Sequence, residues 1–151
     1  MTTQTIDRTW WAEQTKMIGD TIEWCKAQVD MEGVPITWAW NDRFTARMGD
    51  ARTNQLARSG HVRFSRPLWP RAVEGKPRNT VIHECAHVLA NIKHNRNVGH
   101  GHAWKRMMMI LGETPRRCFT EQQVNREGMR RRQARFTITC PGCETTSTSS
   151  K

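Results

Sequence analysis

Apolar residues recur at helical spacing through the first thirty positions. Trp11, Ile18, Ile22, Cys25 and Val29 fall three, four or seven apart, which predicts a helix over 6–32 with one buried stripe. Gly33 and Pro35 stop it. The period then changes to two. Val34, Ile36, Trp38 and Trp40 alternate, as a strand with one buried face requires. Asn41-Asp42 reads as a turn, and Phe44, Ala46 and Met48 carry the alternation into a second strand over 43–52. Arg58-Ser59-Gly60 is a further turn, followed by a short third strand from His61 to Phe64. Residues 65–78, with Pro67, Pro70, Gly75 and Pro77, read as a loop. Helical spacing then returns. Ile82, Cys85, Ala86 and Leu89 form the apolar face of a helix capped by Asn79 or Thr80 and broken by Asn95, Asn97 and Gly99. Trp104, Met107, Met108 and Leu111 define another helix over 101–112. After Pro115, Thr120 and Gln123 make a capping-box pattern that predicts one more, weakened by Gly128. A helix, three strands and then helices give an α+β chain.

Length and charge narrow the picture. A chain of 151 residues suits one domain, assigned to 1–136, with a remnant and a polar, disordered tail over 137–151. A monomer is expected. No apolar run reaches 18 residues, so no membrane span is expected. Met1-Thr2-Thr3-Gln4-Thr5 lacks the apolar core of a signal peptide. Cys25 and Cys85 fall on apolar helix faces and read as reduced thiols of a cytoplasmic protein. The net charge of +10 favours an anionic partner, nucleic acid foremost. Seven arginines lie between 116 and 135. Arg130, Arg131, Arg132 and Arg135 are the candidate phosphate contacts, because the planar guanidinium fork matches phosphate. No base-reading pattern stands out, so DNA binding without sequence preference is expected.

The chemistry centres on His83-Glu84-Cys85-Ala86-His87, an H-E-x-x-H pattern inside an apolar helix. Positions four apart lie on one helix face, so His83 and His87 can aim ring nitrogens at one point, as two zinc ligands do. Glu84 stands beside them as a candidate general base for a metal-activated water. A zinc enzyme needs a third protein ligand and one open position. His94 shares the face but sits about 10 Å along the axis from His87, too far to share a metal. The metzincin spacing is excluded, since Ala90 and Lys93 occupy its positions. The chain must turn back, and Gly99-His100-Gly101-His102 offers His100 or His102. His61, alone on a strand, reads as a surface residue. Three strands ahead of such a helix is a zincin-like layout, in which an edge strand beside the cleft can pair with an extended peptide.

These residues resemble a known family. His83-Glu84-Cys85-Ala86-His87 followed by Gly99-His100-Gly101-His102-Ala103-Trp104-Lys105 is similar to the SprT/Spartan metalloproteases, which show H-E-x-x-H and then a short H-G-x-x-W/F segment. Arg47-Met48-Gly49-Asp50-Ala51 resembles the family's strand before the active helix, and Met107 to Gly112 with Pro115 the end of its next helix. The resemblance covers about residues 34–120. It implies that His100 is the third zinc ligand, and that the protein is a zinc protease associated with DNA, acting on proteins crosslinked to it.

Cys140-Pro141-Gly142-Cys143 has zinc-knuckle spacing. Relatives often end in a complete zinc ribbon, whereas no Cys or His follows Cys143, so a second, structural zinc on Cys140 and Cys143 would need ligands from Cys118 or a partner; a relic knuckle and a redox pair are the other readings of the pair. Two other readings compete: a non-catalytic zinc-containing DNA-binding protein, and a zinc hydrolase unrelated to DNA. The first has no need of Glu84.

Overall fold

The computed structural model describes residues 5–116, 120, 122–129, 138–139 and 146–147. The first helix, α1, spans Arg8–Gln28, and its N-cap is Asp7, whose side chain accepts a hydrogen bond from the Trp10 N–H at 3.0 Å. Three strands follow: β1 (Ile36–Asn41), β2 (Gly49–Asn54) and β3 (Ser59–Ser65). They form one sheet in the order β1-β3-β2. β2 and β3 make an antiparallel hairpin, and β1 joins β3 in parallel. A 3-10 turn at Trp69–Arg71 leads to α2 (Lys76–His94), and α3 (His102–Ile110) follows.

Alternation along the strands decides what the sheet covers. Gly60, Val62 and Phe64 face α2, as do Gly49 and Thr53, while Arg52, His61 and Arg63 face away. Tryptophans fasten the other border. Trp11 of α1 meets Trp40 of β1 edge-on at 5.1 Å, and Trp40 meets Trp69 at 5.3 Å. α2 is thus enclosed by α1, the sheet and α3, and every residue from 80 to 92 is buried. The single apolar face expected for this helix understates its burial.

Several elements differ from the sequence reading; the first helix is shorter than 6–32 at both ends, and the third strand extends beyond His61–Phe64 to Ser59–Ser65. The second strand starts at Gly49, because Asn41 Oδ1 accepts from the Arg43 and Phe44 N–H groups (2.8 and 3.1 Å) and folds 41–44 into a turn. Helix α2 starts at Lys76 with Gly75 as N-cap, since Pro77 fits a first turn that needs no donor there. Thr80 therefore lies inside the helix, where its hydroxyl donates to the Lys76 carbonyl oxygen at 2.9 Å. No helix begins at Thr120 among the described residues. The Gln123 side chain does accept from the Thr120 N–H at 2.9 Å. Its backbone carbonyl, however, accepts from the Val73 N–H (2.8 Å), and Val124 bridges Ala72, so the groups a helix would use are spent on extended pairing. The tail read as unstructured carries a two-residue ladder, Ile138–Thr139 against Thr146–Ser147. Among the described residues, no helix is long and apolar enough to cross a membrane.

Candidate metal centre

His83 and His87 project from one face of α2, and the chain must bring a third donor to them from elsewhere. Asn95 ends the helix in the left-handed conformation (φ 52°), and Gly99 turns the chain again with φ 54°. Asn91 holds this return in place. Its Oδ1 accepts from the Val98 N–H at 2.8 Å, and its Nδ2 donates to Thr53 Oγ1 at 3.0 Å. One buried side chain therefore ties α2 both to β2 and to the loop that delivers His100.

The result is a convergence of three ring nitrogens. His87 Nε2 and His100 Nε2 are 3.1 Å apart, and His100 Nε2 and His83 Nε2 are 3.4 Å apart. All three residues offer ligand atoms within 4.8 Å of one another and could hold a metal ion. Nitrogens bound at about 2.0–2.1 Å in a tetrahedral shell stand about 3.3 Å apart, close to both of these Nε2 separations. Each residue is at least 92% buried, which leaves little water to compete for the nitrogens.

Trp104, fully buried at the start of α3, supports all three rings. It stacks on His87 (5.4 Å, 20°), lies 4.6 Å from His100 and 4.8 Å from His83, and donates Nε1–H to the His83 carbonyl oxygen at 3.4 Å. Glu84 is also buried, on the side of α2 that meets β2. A Cβ on Gly49 would stand 3.2 Å from Glu84 Cγ, so the glycine leaves room for the carboxylate. Gly60 plays the same part further along, where a Cβ would fall 2.3 Å from Val88 Cγ1. Cys85 turns the other way, into the α1 contact, where its hydrogen bond with Cys25 and its burial push its pKa well up and keep it a neutral thiol.

A family model described as SprT-like matches residues 14–127. The chain belongs to the SprT-like family. No curated protein and no solved structure matches it. Within this SprT-like chain the remaining histidines stand apart from the cluster. His102 and His94 are exposed, and His61 bonds the Thr37 hydroxyl at 2.7 Å on the outer sheet face. Arg130, Arg131, Arg132 and Arg135, with Cys140 and Cys143, lie outside the described residues. Sequence reading missed Asn91. The signal was present, since Asn91 continues the row 83, 87, 91 on the face that carries the two histidines.

Proposed function

We propose that this SprT-like chain is a zincin-like, zinc-dependent endopeptidase acting on proteins held on DNA. The observation that carries the reading is the buried meeting of His83, His87 and His100 Nε2 atoms beside Glu84. An all-imidazole donor set suits zinc, and three protein ligands leave a fourth position for water or substrate, the arrangement of catalytic rather than structural sites. When bound, zinc supplies a Lewis acid that polarises the scissile carbonyl and makes a water acidic near pH 7.

The remaining work falls to the chain's own residues. Glu84 accepts the proton of the attacking water and returns it to the leaving amine. Trp104 fixes the ring planes of the ligands by packing against each of them, a supporting role that keeps donor directions set before substrate arrives. β2 pairs only with β3 among the described residues, so its second edge is available to an extended substrate strand close to Glu84. Main-chain pairing of that kind carries little sequence preference, which suits an enzyme that must accept whatever protein DNA presents.

The DNA half of the proposal rests on the net charge of +10 and on the run Arg130, Arg131, Arg132 and Arg135. Holding enzyme and substrate on one polymer raises their effective concentration without any change in the site. A cytoplasmic, DNA-associated monomer follows from this reading. The rival, a zinc-containing DNA-binding protein without activity, would use His102 to close the shell, and His102 is exposed.

Zinc content and casein cleavage, measured for the wild type and for Glu84→Gln, test the proposal. About one zinc per chain in both proteins, with cleavage in the wild type alone, is the expected result. Equal cleavage by the two would remove Glu84 as the base. A DNA-bound protein should also be cut faster than the same protein free, and the difference should vanish at high salt.

A further inference from the structure

The β2–β3 hairpin ends in a turn whose chemistry the peptidase does not use. Leu56 stands at its tip with 99% of its surface exposed. The turn that holds it out is ordered: Asn54 Oδ1 accepts from the Ala57 N–H at 3.0 Å, and Arg58 takes the left-handed conformation (φ 49°). β2 runs alongside α2, from Gly49 at Glu84 to Thr53 at Asn91, so the tip reaches the C-terminal end of that helix. Residues 51–60 and 91–100 together hold four Lys or Arg (Arg52, Arg58, Lys93, Arg96) and no Asp or Glu. All four are exposed, and none makes an ion pair among the described residues. Lys93 also answers the negative end of the helix dipole; Arg52 and Arg58 have no such role.

A scattered exposed leucine needs no explanation. A rigidly presented one, with uncompensated cations on its own hairpin and at the adjoining helix end, does. Acidic peptides would satisfy the charge but not the geometry, because a turn with one projecting apolar side chain offers no groove for a peptide to lie in. Duplex DNA satisfies both, since it carries phosphates on either side of stacked base steps that an apolar wedge can enter. We propose that the hairpin tip and the end of α2 form a DNA-gripping arm, in which Arg52, Arg58, Lys93 and Arg96 hold backbone phosphates and Leu56 inserts at a base step. This deepens the DNA half of the function proposed above. It makes the grip shape-dependent, with weakly stacked steps preferred, and sets it about 14 Å along α2 from Glu84, the rise of the nine residues to Lys93.

The test is a titration of the full chain against a fluorescein-labelled duplex and the same duplex with one central mismatch, over about 50–200 mM salt. The variants are Leu56→Ser, and Arg52→Ala combined with Arg58→Asn, asparagine being tolerant of the left-handed backbone. Zinc content checks that each variant retains its fold. The wild type should prefer the mismatched duplex, whose step is cheaper to open. Leu56→Ser should lose that preference and keep the salt slope. The arginine pair should flatten the slope by about 2 and weaken both duplexes alike. Wild-type affinity and slope in the arginine variant would overturn the grip, and absence of a mismatch preference in the wild type would overturn the wedge. Hairpin variants that bind DNA normally yet lose cleavage of a protein substrate would make the arm a protein-docking device instead. Failure of the peptidase reading leaves all these binding results intact, so the two proposals fail separately.

Discussion

Gly60→Ala probes how closely the sheet is set against α2. Gly60 does not have a positive φ, so alanine suits the backbone and the effect is purely steric. Its new methyl would stand 2.3 and 2.7 Å from the two γ-methyls of Val88 and 3.1 Å from its Cβ. Contacts under 3 Å cannot persist, so β3 or α2 must shift, at the roughly 1–3 kcal/mol that overpacking a core costs. Val88 is fully buried and follows His87 directly, so the shift should also disturb the metal site. Val88→Ala removes both offending methyls. Alone it loses about 1.6 kcal/mol of burial for two methyl groups, plus a cavity contribution that brings it to about 2–3 kcal/mol. Together the substitutions should cost less than their sum, since one methyl enters the space the others leave. We expect a coupling of about 1–3 kcal/mol in a urea-unfolding cycle with zinc saturating. Costs that add within about 0.5 kcal/mol would show that Gly60 and Val88 do not meet as described, and would refute the close packing of β3 on α2.

Two further substitutions address delivery of the third histidine. Asn91→Ala strips the Val98 N–H of its acceptor in a buried loop. That costs about 1–3 kcal/mol, so zinc affinity measured by chelator competition should fall about 5- to 150-fold while the helix persists; unchanged affinity would show that the loop holds His100 without it. His100→Ala should release the metal and His102→Ala should retain it, as read by metal analysis, and the reverse pattern would contradict the convergence at His100 Nε2.

Helix α2 was legible because two periodicities coincide on it. Apolar residues mark its packing, and polar ones recur every fourth position at 83 and 87. The strands were legible from alternation, but Phe44, Ala46 and Met48 show the limit of that signal. They alternate, yet Asn41 turns the chain beneath them, and side-chain capping of a turn leaves no periodic trace. The expected helix at Thr120 failed for the opposite reason. Its local pattern is sound, and the cap contact forms, but a bridge to Ala72, some fifty residues away, overrides it. The third histidine of the cluster required knowing how a loop returns. Composition showed that the loop must break the helix, whereas the choice of His100 over His102 depends on Asn91, Gly99 and Trp104 acting together in three dimensions.

The core of this protein breaks an ordinary rule at one place. Helix α2 is buried all round between residues 80 and 92, and a helix so enclosed is expected to be apolar throughout. Val81, Ile82, Cys85, Ala86, Val88, Leu89 and Ile92 comply, each at most 1% exposed. Thr80, His83, Glu84, His87 and Asn91 do not, yet all are at most 8% exposed. Burying imidazoles and a carboxylate costs stability unless partners are supplied, and an apolar replacement of similar size would remove that cost. The surrounding residues instead accommodate the polar set: Gly49 gives Glu84 room, Trp104 packs against the rings, and Asn91 bonds outward to Thr53 and Val98. A core arranged around buried polar residues points to a site that could hold a metal ion at those residues, because stability alone would have favoured apolar ones.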